Sequence, residues 1–329
     1  MKRYRLLIVF LVVILIGCNF DLSKKKQTKN KIINNINEFT PVVFSNKASL
    51  FQKPLSNIPL IPIVIHWKDK ELYVLDQSIN SIKVYDGKGQ FLRSIGSKGS
   101  APNELSSPSD FQIIQDYLYI SDNYLIKVFN KDCSFKEYFK LEMRPFKFTM
   151  NNRVIYFCPF VFQNFILFYR SLKGNKTELQ GVVQALKPKE ITDIFNNWVI
   201  LASSPQTQRI YFSFLLEDRM LAINPEGEIL FETTRGLPKL TNPKIKSRHK
   251  QEMILDEAIN FDIEYYDSSI YLLSVYKNDK NCLFQFDENG KLKRILDHGI
   301  SGAFLFTVID HHTFLVVDRD DFQCYRVVF

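Results

Sequence analysis

Short runs of alternating apolar and polar residues dominate the chain beyond residue 37, and they predict β-strands. The run 82–85 reads Ile-Lys-Val-Tyr, so every second side chain is suited to one packed face. The chain has 29 Phe and 15 Tyr, residues that are enriched in pleated strands. Ala-rich stretches with helical periodicity are almost absent. This pattern favours an all-β fold.

One unit recurs through these runs. It consists of an apolar strand with a central Tyr, a polar turn, a second strand, a Gly-containing turn and a third strand. The six central positions are Tyr73, Tyr119, Tyr156, Tyr211, Tyr271 and Leu315, which we call the marker positions. A further apolar run precedes each marker, at 63–67, 111–114, 146–150, 198–202, 259–263 and 304–309. Four strands in each of six units predict a six-bladed β-propeller with four-stranded antiparallel blades.

The last unit ends at Phe329 with three strands. An open blade would leave an unpaired sheet edge, which propellers avoid by closure. The run 39–44 reads Phe-Thr-Pro-Val-Val-Phe and precedes the first unit. We therefore predict that this N-terminal segment completes the last blade.

The first 18 residues have the plan of an export signal. Lys2, Arg3 and Arg5 precede an apolar run, 6–16, that is too short to span a bilayer. Residues 15–18, Leu-Ile-Gly-Cys, resemble a bacterial lipobox, in which Cys18 carries a diacylglycerol with fatty acids such as palmitate. The alternative is a plain signal peptide with an incidental cysteine.

The polar residues that follow Cys18 have no apolar period and predict a flexible tether. We expect a lipoprotein signal peptide at 1–17, a tether at 18–36 and the propeller at 37–329. We expect the lipid on Cys18 to anchor the protein to the cell envelope, at the outer membrane.

Residues 71–108 resemble an NHL-type repeat, in particular the strands 72–76, 82–86 and 91–95 and the loop 99–108. With the lipobox in front, the whole chain resembles the six-bladed β-propeller lipoproteins of Bacteroidota. This resemblance implies a cell-envelope address and a binding role, and it supplies no reaction. The pattern is weaker in the middle units, where the fifth residue of the marker strand changes from Asp76, Asp122 and Asp318 to Pro159, Phe214 and Ser274.

Charge and cysteine content narrow the classes of function. The net charge is +8, and the densest basic run, 244–250, is typical of a solvated loop, so we expect no nucleic-acid partner. The other four cysteines, Cys133, Cys158, Cys282 and Cys324, show no Cys-x-x-Cys or zinc spacing. We predict free thiols, buried at all but the first, although an oxidising compartment would permit disulfides.

Few residues have the pattern of a catalytic site. Asp110, Asp262, Glu264 and His66 fall on or beside innermost strands, where a metal could bind in the central channel, but the carboxylates come from two units only. His311 and His312 are predicted to lie in an exposed turn. Asp76, Asp122 and Asp318 each end a strand, where a carboxylate can accept backbone N–H groups. We therefore predict no catalytic residue, no cofactor and no metal.

Two segments suggest binding. Phe160, Phe162 and Phe165 lie in an aromatic stretch whose rings either pack between blades or project from a loop as an interaction patch. The long connection 236–257 leads into a possible short helix at 247–258. The leading hypothesis is a non-enzymatic envelope propeller that binds a protein or glycan partner. The alternatives are a metal-dependent, lactonase-like hydrolase or lyase, and a purely structural scaffold.

Overall fold

A computed structural model gives the fold and describes residues 30–50, 61–151, 154–160, 165–171, 180–184, 197–237, 245–249, 252–255, 258–276 and 280–329. These residues form 28 strands and one 3₁₀ turn, Ile36–Glu38. No helix within these ranges is long and apolar enough to cross a membrane.

Six antiparallel blades form the predicted propeller, and each begins with its innermost strand. Blade one contains β4 (Pro62–Lys68), β5 (Glu71–Asp76), β6 (Ser81–Asp86) and β7 (Phe91–Ile95). Blade two contains β8 (Pro108–Ile114), β9 (Tyr117–Asp122), β10 (Leu125–Asn130) and β11 (Phe135–Lys140). Blade three contains β12 (Pro145–Asn151), β13 (Val154–Pro159), β14 (Phe165–Ser171) and β15 (Gln180–Gln184).

The second half repeats this plan. Blade four contains β16 (Val199–Ser203), β17 (Ile210–Phe214), β18 (Met220–Ile223) and β19 (Ile229–Thr234). Blade five contains β22 (Asn260–Tyr266), β23 (Ser269–Val275), β24 (Asn281–Asp287) and β25 (Leu292–Asp297). Blade six contains β26 (Ala303–Val308), β27 (Thr313–Asp318) and β28 (Cys324–Val328). Each inner strand contacts the next, and β26 contacts β4, so the ring is closed.

The apolar faces of the strands bury six clusters, one at each interface between neighbouring blades. The marker positions lie on the second strand of every blade, and all but Tyr119 are buried. The cluster between blades six and one includes Leu315, Val317, Leu72 and Val74. Burial of apolar surface therefore holds the ring together at its closing interface as it does elsewhere.

An N-terminal strap, residues 30–50, runs across the outer edges of three blades. β1 (Lys31–Ile33) pairs in parallel with β19, and β2 (Val42–Val43) pairs in parallel with β25. β3 (Asn46–Ser49) pairs antiparallel with β28 and supplies the fourth strand of blade six. An N-terminal strand therefore closes the last blade, as predicted.

The closing segment is not the one that the sequence indicated. The apolar run 39–44 contributes β2 to blade five, whereas the polar strand β3 closes blade six. All four residues of β3 are exposed, because an outermost strand gains its stability from ladder hydrogen bonds and needs no buried face. Hydrophobic periodicity therefore gave no signal for it.

The strap also begins earlier than expected. Residues 30–36 were assigned to the tether, but they lie on blades four and five. The buried Asn34 amide donates to Thr233 Oγ1 at 2.7 Å and accepts from Leu292 N at 3.0 Å. Residues 30–36 therefore belong to the propeller and not to the predicted tether.

The connection between blades four and five differs in a second way. The predicted short helix at 247–258 is replaced by a two-stranded hairpin, β20 (Ile245–His249) and β21 (Glu252–Leu255). Residues 250–251 and 256–257 lie outside the described residues. Met253, Ile254 and Leu255 form a short continuous apolar run, which occurs in strands and in helices, so its type could not be assigned from the pattern.

Candidate functional site

Each innermost strand carries two ring positions, and eight of these twelve residues line a cavity between the innermost strands. The residue opposite each marker position forms the second ring: His66, Gln112, Thr149, Ala202, Glu264 and Thr307. The residue two positions earlier forms the first ring: Val64, Asp110, Lys147, Ile200, Asp262 and Leu305. Side chains two apart on a strand share a face, so both rings point the same way.

One cavity of about 20 Å³ brings the titratable members of these rings together. His66, Asp110, Lys147, Asp262 and Glu264 all line it. The structure therefore unites the four channel candidates from the sequence and adds Lys147 from blade three. A space of this size holds one or two waters, which is too small for an organic substrate.

Each channel carboxylate accepts a backbone N–H from the next blade. Asp110 Oδ2 accepts from Phe148 N at 2.9 Å, and Asp262 Oδ2 accepts from Phe306 N at 3.1 Å. Glu264 Oε2 accepts from Val308 N at 3.0 Å. The free edge of an inner strand leaves such N–H groups without a ladder partner. The carboxylates therefore cap the inner edges of blades three and six.

The remaining polar groups complete this arrangement. His66 Nε2 donates to the Phe111 carbonyl at 2.9 Å, and Gln112 Nε2 donates to the Phe148 carbonyl at 3.3 Å. Lys147 Nζ lies 3.5 Å from Asp110 Oδ1 and is the cation of the cavity. The channel is thus an internally bonded polar core.

Burial sets the protonation of these groups. It raises the pKa of Glu264 to about 8 and that of Asp262 to about 7, and Lys147 opposes the shift at Asp262. Burial also raises the pKa of Asp110 and lowers that of His66 to about 4. Near neutral pH, His66 is uncharged and Glu264 holds a proton for much of the time.

This chemistry is poorly suited to a metal. Metal ligation needs deprotonated carboxylates, and here burial favours the protonated forms. In the part of the chain that the structure describes, no group of three or more His, Cys, Asp or Glu side chains is placed to hold a metal ion.

Aromatic residues gather where the inner strands of blades three and four begin, at one end of the channel. Phe146 stacks on Trp198 with ring centroids 4.3 Å apart, and Phe160 packs edge-on against both, at 5.2 and 5.9 Å. The Arg144 guanidinium lies over the Phe160 ring, 4.4 Å from its centroid. All four side chains are half-buried. We call these residues the mouth cluster, because Phe146 directly precedes Lys147 of the cavity.

The structure describes two of the three phenylalanines that the sequence grouped and places them in different surroundings. Phe160 belongs to the mouth cluster. Phe165 begins β14, packs edge-on against Phe168 at 5.8 Å, and covers Gly181 of the neighbouring strand. Phe162 lies outside the described residues, as does Cys18.

The strand-ending aspartates have the structural role that the sequence predicted. Asp76 accepts from Ile61 N at 3.1 Å and pairs with Lys83 at 3.1 Å. Asp122 accepts from Ser107 N at 2.6 Å and pairs with Lys127 at 3.0 Å.

Blade four has Phe214 at that position and uses another ion pair. Arg235 Nε donates to Asp218 at 2.6 Å, and Arg235 Nη2 donates to Asn260 at 2.8 Å. Both charged side chains are buried. This pair ties the loops of blade four to the inner strand of blade five and compensates for the missing aspartate.

His311 and His312 lie in the turn between β26 and β27, as expected. His311 Nε2 lies 2.7 Å from the Asp267 carboxylate, and His311 Nδ1 lies 3.3 Å from the Tyr271 hydroxyl. Neither histidine lines the channel cavity.

Comparison with known proteins agrees with the geometry. A family model described as DUF5128, 6-bladed beta-propeller, matches residues 25–223, which is more than half of the chain. The chain belongs to the DUF5128 family. None of the curated proteins is similar to this DUF5128 propeller in sequence.

Solved structures share the fold at low sequence identity. A Bacteroides fragilis protein thought to be exported has 11% identity and a TM-score of 0.58, with 91% of this chain and 98% of that chain covered. A DUF4221 member from Bacteroides vulgatus has 9% identity and a TM-score of 0.59, with coverages of 87% and 96%. The virginiamycin B lyase of Staphylococcus aureus has 13% identity and a TM-score of 0.53, with coverages of 86% and 99%.

Sequence reasoning missed several residues of this DUF5128 propeller that the site depends on. Lys147 and Gln112 sit at ring positions, and Arg144, Phe146 and Trp198 surround Phe160. The hairpin register offered a signal for the first two, because the ring residues face the marker positions on the next strand. The mouth cluster joins two blades across a gap of 38 residues between Phe160 and Trp198, and no local pattern reports that contact.

Proposed function

We propose that this protein is an exported binding module, anchored to the cell envelope through a lipid on Cys18, that holds a protein or glycan partner with the mouth cluster and catalyses no reaction. The observation that carries the proposal is the set of three mutually packed, half-buried rings at one end of the channel. Rigid aromatic side chains that combine buried and open surface are typical anchors of binding sites.

The chemistry of the channel supports a role in binding rather than catalysis. Each channel carboxylate already accepts a hydrogen bond from a backbone N–H group, and Lys147 faces Asp110. The cavity has room for water molecules only. The similarity to an exported Bacteroides fragilis protein supports export. The positive segment, the apolar run and Cys18 support lipid anchoring, which we place at the outer membrane.

A second candidate is a metal-dependent hydrolase or lyase that uses the channel. One observation favours it: His66, Asp110, Asp262 and Glu264 come from three blades and share one cavity. A similar fold also carries a lyase in Staphylococcus aureus. The cavity would have to open, and its carboxyl groups would have to lose their protons, before substrate and metal could enter.

Photocrosslinking tests the binding proposal. A benzophenone amino acid replaces Phe160 in the full-length protein, which is expressed in its own cell envelope and irradiated. The control carries the same group in place of Tyr138, an aromatic residue on β11 that is 56% exposed and remote from the mouth. We expect covalent protein or glycan adducts from position 160 and none from position 138. Adducts from 138 alone, or equally from both, would overturn the proposal.

A further inference from the structure

The mouth cluster contains a cation without a carboxylate partner. Arg144 Nη2 donates to Ser107 Oγ at 2.8 Å, and its Nε is buried without an acceptor. Among the described residues, no carboxylate lies within 4.0 Å of Arg144. Four other arginines, Arg93, Arg170, Arg219 and Arg235, each pair with an acid at 2.6–3.2 Å. Arg209 and Arg294 have no acid partner among the described residues but donate to carbonyl and amide oxygens.

The nearby lysine, Lys147, adds no uncompensated charge to the mouth cluster. Lys147 follows three residues later on β12, but its ammonium already faces Asp110. Among the described residues, the uncompensated positive charge at the mouth is therefore that of Arg144, which lies over the ring of Phe160. The guanidinium lies over the ring, and among the described residues its Nη1 has no hydrogen-bond partner. The donors of Nη1 and the second hydrogen of Nη2 therefore remain for a planar carboxylate.

We propose that the mouth cluster binds a hexuronic acid unit of an acidic glycan. The aromatic rings would receive the C–H face of the pyranose, because the negative face of a ring attracts weakly positive C–H groups. Arg144 would receive the carboxylate. This inference rests on the proposed function, in that it names the ligand class for the same surface.

Trp198 makes the site directly observable. The chain has two tryptophans, and Trp67 lies at the far end of its inner strand from the mouth. In a Trp67→Phe background, indole fluorescence reports on Trp198 alone. The titrants are oligomers of galacturonic acid, glucuronic acid and mannuronic acid, together with the methyl ester of each oligomer.

We expect at least one acidic oligomer to change Trp198 fluorescence saturably, and its methyl ester to bind at least tenfold more weakly. Arg144→Gln should weaken binding of the acid at least tenfold, and Arg144→Lys should restore part of the loss. The matched control is Lys136→Gln, which removes another cation that lies on a ring, that of Tyr117 at 3.7 Å. It should leave binding unchanged.

Three results would overturn the inference: no response to any of the three acids at millimolar concentration, equal binding of acid and ester, or equal binding by the wild type and Arg144→Gln. Crosslinked adducts at position 160 without a response to any uronate would refute the uronic acid as ligand but would leave the binding proposal in place. Absence of both would refute the binding proposal as well.

Discussion

Glu264 offers a test of how the channel is built. Burial raises its pKa from 4.5 to about 8, while the side chain accepts from Val308 N and Thr307 Oγ1. In Glu264→Gln, the amide oxygen can keep the Val308 bond, and the group has no proton to lose. The variant therefore removes the ionisation while keeping the cap on blade six.

The ionisation of Glu264 makes the stability of the wild type depend on pH. The native state holds the Glu264 proton more tightly than the unfolded chain does, so the wild type loses stability as pH rises from about 4.5 to above 8. Each pKa unit corresponds to about 1.4 kcal/mol, which sets an upper bound of about 5 kcal/mol for this group. Because water can reach the channel and reduce the penalty, we expect about 1–3 kcal/mol.

Thermal melting from pH 5 to pH 9, followed by circular dichroism, measures this difference. Glu264→Gln should melt close to the wild type at pH 5 and above it at pH 9, by roughly 2–4 °C per kcal/mol. Glu137→Gln, at an exposed position on β11, is the control and should follow the wild type at every pH. A Glu264→Gln variant with the wild-type pH dependence would refute the assignment of a buried, protonated acid.

Three further predictions concern the anchor, the strap and the channel. Cys18→Ser should abolish fatty-acid labelling and release the protein from membranes, and persistent labelling would contradict lipidation. Gly89→Ala should lower the melting temperature more than Gly236→Ala; both glycines have φ near +80°, but only at Gly89 would a Cβ meet the strap, 2.3 Å from the Leu50 carbonyl oxygen. Equal losses would show that this strap contact contributes nothing. Elemental analysis of the purified full-length protein should find no stoichiometric calcium or zinc, and one tightly bound metal per chain would favour the hydrolase or lyase.

The blades could be predicted from the sequence because each one buries an alternating face. The pair formed by the strand around Tyr73 and the strand 82–86 recurs along the chain. The number, the order and the pairing of the blade strands could be predicted from that repeat. Residues that act through hydrogen bonds alone were harder to assign. β3 is exposed and polar, and Asn34 is a single buried amide in a polar segment, so neither shows a period.

The candidate site was predictable only in part, for a related reason. Asp110, Asp262, Glu264 and His66 could be placed near the channel from strand order, but their bonds to the next blade depend on the three-dimensional ring. Phe160 could be identified as a candidate from the sequence, but the residues that contact it could not. Its neighbour Trp198 comes from another blade, and the contact exists only after both blades have formed.

The central claim is that a partner binds at the mouth cluster, and partner capture by two leucine variants tests it most directly. Phe160→Leu alters a ring of the cluster, whereas Phe165→Leu alters a ring of the same segment that packs against Phe168 and Gly181. Capture of the crosslinked partner from native envelopes is measured per folded molecule, with melting temperature as the check on folding. We predict that Phe160→Leu reduces capture of the partner at least tenfold and that Phe165→Leu leaves it unchanged. Equal capture by both variants and the wild type would contradict the account.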